Sequence, residues 1–190
     1  MEEGKRSRTS FQKEWPLLKK GVNKFIDLIE GGVEIDNSSF TVQDYMSIYN
    51  VDDINSELLC DNYKKVFAKY INSKVLPSLR AKENEILLRE LLKTWSNYKI
   101  ITVCLSRLFR SLETYDMRKS MEHSLEEIGF LSFYDLVYLE VNTQVMNDIL
   151  AMIAEDHAGK QIDRKLINNI LAFYLEIGDK TGKIDPKYVD

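Results

Sequence analysis

"FQKEWPLLKKGVNKFIDLI", residues 11–29, decides the fold class. Phe11, Trp15, Leu18, Val22, Phe25 and Ile29 follow one another in steps of 4, 3, 4, 3 and 4 residues. Such steps set large apolar side chains on one face of an α-helix, whereas a strand would repeat every second residue. Gly31-Gly32 ends the run, and Ser10 is a candidate cap. Pro16 has no N–H and fits a first helical turn better than an interior, so the pattern predicts a start at Trp15 or Pro16, with Phe11 outside.

The same period continues through the chain. A short helix is expected over 41–51, followed by one over 58–79 carrying Leu59, Tyr63, Val66, Phe67 and Tyr70 inward. Pro77 should bend or end the latter. Helices over 84–97 and 98–115 come next, with a break that Trp95 and Tyr98 blur by continuing one period. Residues 121–131 read as a connection, with Gly129 near its end. Ser132 and Asp135 resemble a capping pair ahead of a helix carrying Val137, Val141, Val145 and Ile149. Asp163 is a plausible cap for a last helix that ends at Gly178. With no convincing strand pattern and no short internal repeat, the chain reads as all-α.

Composition narrows the function. The 190 residues suit one or two domains, and 44% apolar with 29% charged residues is ordinary for a globular protein. A net charge of −4 argues against wholesale nucleic-acid binding. No run reaches the roughly 18 to 20 apolar residues of a membrane span, and "MEEGKRSRTS" has no apolar core of a secretory signal. Cys60 and Cys104 are too few for a disulfide framework. The expected location is the cytoplasm or nucleus.

The chemistry of catalysis is not apparent. His123 and His157 stand without a second ligand at metal spacing, and no phosphate loop or nucleophile elbow occurs. Glu126-Glu127 and Asp52-Asp53 are sequence neighbours that diverge on a helix, so they read as solvated surface. Cys104 lies on an apolar side and reads as a small hydrophobe. No catalytic residue, metal or cofactor is expected, which points to a binding or scaffolding role.

"TVQDYMSIYN", 41–50, carries more large side chains than one narrow stripe can bury. Tyr45, Ile48 and Tyr49 share one face, and Met46 pairs with Tyr49. One set can pack inward while the other meets a partner, a use that suits Tyr and Met. The residue-level alternative is that Tyr45, Met46 and Tyr49 are all core.

Several stretches, in order, resemble the N-terminal part of cullins, most of all plant-like cullins of the SCF type. They are "EWPLLKKGVNKFIDLIEG" (14–31), "YMSIYN" (45–50), "YKKVFAKYINSKVLPSLR" (63–80), "NEILLRELLKTWSNYKI" (84–100), "LSRLFRSLETY" (105–115) and the span 128–178. The resemblance implies a cullin-repeat helical bundle: a full five-helix repeat over 11–122 and part of a second over 123–178. Flexible ends are expected over 1–10 and 179–190. It further implies a non-enzymatic scaffold in ubiquitin-dependent protein catabolism. Its partner would be the BTB/POZ-like adaptor of SCF-type ubiquitin ligases and, through it, F-box proteins. Tyr45, Met46 and Tyr49 would bind that adaptor, together with Val103, Ser106, Arg107 and Arg110 on the outer side of the 98–115 helix. A chain of this extent would lack the C-terminal cullin homology domain, so the RING-box protein is not an expected partner.

The chain departs from the family at two places on that surface. After Asn50 it passes to "VDDINSELL", and Leu112-Glu113-Thr114-Tyr115-Asp116 lacks the usual Arg and the following aromatic residue. The alternative is therefore a degenerate relative without adaptor binding, acting as a decoy or through another protein partner. Broad apolar faces on the last two helices further predict either folding back or self-association.

Overall fold

A computed structural model describes residues 3–31, 56–110 and 121–183. The described elements are helical, and no strand occurs among them. They are α1 (Glu3–Glu30), α2 (Ser56–Tyr70), a π-helical turn (Ile71–Val75), α3 (Leu76–Arg80) and α4 (Asn84–Arg110). After them come α5 (Leu125–Phe133), a second π-helical turn (Tyr134–Tyr138), α6 (Leu139–His157) and α7 (Arg164–Thr181). The helix expected over 41–51 lies outside the described residues.

The boundaries show how local signals compete. α1 begins at Glu3, well before Trp15, and keeps Pro16 inside. The proline's fixed φ is helical, so its cost is one missing N–H bond and local crowding. Pro77 does not end its helix either. The Leu76 N–H reaches back to the Ile71 carbonyl, closing the wide π turn just before the proline, and α3 runs on to Arg80. No glycine or proline lies between Asn84 and Arg110, and the expected break at 97/98 is absent: α4 is one helix.

The expected connection over 121–131 is corrected most. The Glu127 carboxylate accepts from the Ser124 N–H at 2.7 Å, while the Ser124 hydroxyl accepts from the Glu127 N–H at 3.2 Å. This reciprocal capping box starts α5 at Leu125 and leaves Gly129 buried inside the helix. Ser132 lies within the helix, and Asp135 pairs instead with Lys183 at 2.8 Å. At the other end of the chain, Asp163 caps α7 as expected, accepting from the Leu166 N–H at 3.0 Å. Gly178 is interior. Gly182, at φ 64°, takes the left-handed position that ends the helix.

The chain divides into two compact units, and not along the expected boundary at 122/123: one holds Met1–Val66 with Asn97–Gly129, the other Phe67–Ser96 with Phe130–Asp190. In the first, Val22, Ile26, Leu59, Tyr63 and Leu105 are buried, and the Tyr63 and Phe109 rings meet edge to face at 5.2 Å. The Tyr98 hydroxyl donates to the Gly129 carbonyl at 2.7 Å.

Trp95 is the hub of the second unit. Its ring lies 4.9 Å from Phe133, 5.5 Å from Phe173 and 5.7 Å from Phe130. Its indole N–H donates to Glu176 at 2.7 Å, so the one polar atom of the ring is satisfied. α6 and α7 run antiparallel, and each buries one apolar row: Val141, Val145 and Ile149 on α6, and Leu166, Ile170 and Ile177 on α7. The Tyr174 hydroxyl donates to Asn142 at 2.6 Å where the two helices face each other. At the far end Arg164 pairs with Asp156 at 3.0 Å.

Candidate functional site

Four of the seven expected binding residues are on the last turns of α4; Tyr45, Met46 and Tyr49 lie outside the described residues. Val103 is half-buried, Ser106 is buried and Arg107 is exposed. Arg110 ends the helix. Positions three and four apart share a face, so 103, 106, 107 and 110 form one strip two turns long.

Burial separates these residues. Ser106 was expected on the outer side, but its hydroxyl turns back to the Val103 carbonyl at 2.9 Å and is hidden from solvent. The buried stripe of α4 is wider than an apolar period indicates, because small polar residues join it. Thr102, one turn before Ser106, is fully buried with its hydroxyl unpaired. Tyr98, Ile101 and Leu105 are buried as expected.

A residue the apolar period passed over extends the outer strip. Ile100 is 49% exposed, one turn before Val103 and two before Arg107. The strip thus reads Ile100, Val103, Arg107: apolar, half-buried apolar, cationic. Its signal in the sequence was a large apolar residue just off the buried stripe. Cys104 lies beside it, half-buried. Burial pushes its thiol up from the ordinary value, against the opposing charge of Arg107. A thiol held protonated is a poor nucleophile.

Elsewhere, an open groove runs along α1 past Lys19, Lys20 and Lys24. Asp27 lines the same groove, so cations and an acid stand side by side on one helix. Among the described residues no group of three or more His, Cys, Asp or Glu is placed to hold a metal ion. No described helix is long and apolar enough to cross a membrane.

Trp95 and Tyr98, which carry one apolar period across the middle of α4, are structural. Trp95 and Tyr98 both point into buried surroundings, one toward an aromatic cluster and one toward a backbone carbonyl.

Comparison with known proteins agrees with this architecture. The family model of the cullin alpha solenoid domain matches residues 15–189. The chain is 37% identical to Cullin-1 of Oryza sativa subsp. japonica over 182 residues, covering 91% of this chain and 24% of that protein. It is 34% identical over 175 residues to Cullin-like protein 3 of Arabidopsis thaliana, covering 91% of this chain and 69% of that protein. With Cullin-2 of Arabidopsis thaliana the identity is 34% over 170 residues, or 84% of this chain and 22% of that protein. The chain therefore spans about a quarter of the length of the two full cullins. A helical architecture and a family match over nearly every residue lead to one conclusion: this chain belongs to the cullin family.

Proposed function

We propose that the chain is a non-catalytic scaffold module of a ubiquitin ligase complex that binds a BTB/POZ-like adaptor of the SCF type and, through it, F-box proteins. The contact surface is Tyr45, Met46 and Tyr49 together with Val103, Arg107 and Arg110, with Ser106 supporting it from beneath. The observation that carries this reading is the strip on α4, where a half-buried valine stands one turn from an exposed arginine. An apolar contact beside a cation suits a partner that presents apolar and acidic side chains together.

A calorimetric titration of the chain with a purified BTB/POZ-like adaptor tests it. Binding at micromolar or tighter affinity is expected. Arg107→Glu should weaken it at least about tenfold, and Tyr45→Ala/Met46→Ala should weaken it further. A second reading, a relative that has lost adaptor binding, is favoured by the burial of Ser106, which takes a hydroxyl out of the contact surface. Absence of binding, or binding indifferent to both variants, would establish that second reading over the first.

A further inference from the structure

Both π-helical turns lie inside longer helical runs. In the first, the Leu76 N–H bonds to the Ile71 carbonyl; in the second, the Leu139 N–H bonds to the Tyr134 carbonyl. Each bond reaches back five residues where an α-helix reaches back four. Such a turn takes up one residue more than an α turn while the helix axis runs on. Every residue after it is therefore turned by about 100° from its place in an unbroken helix.

The buried rows on either side show the effect. Phe130, Phe133 and Val137 are buried and recur in steps of 3 and 4. Continued by threes and fours through an unbroken helix, that row would next bring Glu140, Gln144 and Asp148 inward. Glu140 and Gln144 are exposed, and the buried residues are Val141, Val145 and Ile149, each one place later. One extra residue in the turn accounts for that displacement.

The first turn does the same. Tyr63, Phe67 and Tyr70 are buried, and their row would continue to Lys74, Pro77 and Ala81. Those three are exposed, while Val75, Leu76 and Leu79 are buried. Here Pro77 adds its own demand. In a regular helix its ring would crowd the Ser73 carbonyl, and the wide turn just before it gives the room.

The two turns lie against each other. Past both of them, Arg80 at the end of α3 grips Glu140 near the start of α6 with two bonds, at 2.6 Å and 2.9 Å. Turning either helix by about 100° would part these side chains.

We infer that the paired π turns are a register device: each absorbs one extra residue, which keeps the apolar rows of α3 and α6 on the core and Arg80 facing Glu140. The inference does not rest on the adaptor-binding reading. Its consequence concerns residue count. Losing one residue inside a π turn closes it to a regular α turn and leaves every later side chain in place. Losing one from an uninterrupted helix rotates all that follow.

Thermal unfolding of deletion variants, followed by circular dichroism, tests it. Asp135 is an exposed residue of the second turn, and Asp135→Ala is the reference because it loses the same pair with Lys183. Deletion of Asp135 should unfold cooperatively within about 4 °C of that reference. Lys93 is exposed on α4, which has no π turn. Its deletion would carry Ser96, Lys99, Thr102 and Ser106 into the buried places of Trp95, Tyr98, Ile101 and Leu105, and should abolish the transition. Deletion of Lys74 from the first turn should lower the Tm, because it sets Pro77 in a regular helix. Adding Pro77→Ala should bring that variant to within about 4 °C of Pro77→Ala alone. An Asp135 deletion that unfolds where Asp135→Ala folds would overturn the inference. So would a Lys93 deletion as stable as the Asp135 deletion, or a Lys74 deletion that Pro77→Ala does not rescue.

Discussion

The Tyr98 hydroxyl on α4 donates to the Gly129 carbonyl inside α5 at 2.7 Å, and Tyr98 has no exposed surface. Inside α5 that carbonyl also belongs to the helix, so the tyrosine supplies an extra bond to a backbone group. Removing the hydroxyl while keeping the ring isolates that bond. Tyr98→Phe should lower stability by about 1 kcal/mol, read from the denaturant midpoint with an unchanged slope.

Trp95 should matter more. It is almost fully buried against Phe130, Phe133 and Phe173. Trp95→Ala opens a large cavity and leaves the Glu176 carboxylate without its indole donor. The expected loss is about 3–5 kcal/mol, enough to unfold a marginal domain. Glu176→Gln, which keeps an acceptor for the indole, should cost far less. Thermal unfolding of the two variants compares them directly.

The capping box gives a stability term that depends on pH. The Ser124 N–H and hydroxyl hold the Glu127 carboxyl below the ordinary glutamate value of 4.5. A carboxylate stabilised by folding contributes in full above that value, and the contribution is lost as the pH falls through the lower folded value. Ser124→Ala should cost about 1 kcal/mol near neutrality, and Glu127→Gln, which removes the titrating carboxylate, should flatten the acid limb of stability below about pH 4.5. An acid limb as steep in Glu127→Gln as in the parent would count against it.

At high pH the direction reverses. Burial raises the Tyr174 and Tyr138 phenols above the ordinary value of 10.0. Folding holds these protons on, so their contribution is full below pH 10.0 and declines as the pH rises above it. Tyr174→Phe removes part of this term and also the bond to Asn142. It should lower stability at neutral pH and soften the alkaline decline, which unfolding curves at a series of pH values would show.

Much of the architecture was legible in residue order because helical signals are local. Apolar steps of three and four mark a helix whatever packs against it, and Asp163 caps the turn it begins. The cullin resemblance rested on such stretches, and the family match bears it out. Boundaries were harder where two local signals competed. Ser124-x-x-Glu127 and Ser132-x-x-Asp135 have the same spacing. The first caps α5 and the second does not, because the chain around Gly129 is already helical and buried. Gly178 and Gly182 pose the same choice, decided by which one adopts the left-handed backbone.

The binding strip was legible only in part, for a reason that is physical. The period places Ser106 and Arg107 one turn after Val103, but it does not state how wide a stripe the neighbouring helices cover. Packing buried Ser106 and left Ile100 exposed. It likewise hid Val145 and Ile149 while leaving Leu150 and Leu175 open on the outer face of the hairpin. Residue order by itself determined that this chain is helical, which turns form and which side chains share a face, because those follow from the geometry of one helix. Only the tertiary structure decided which of those faces are covered, because burial depends on the neighbour that folding brings alongside.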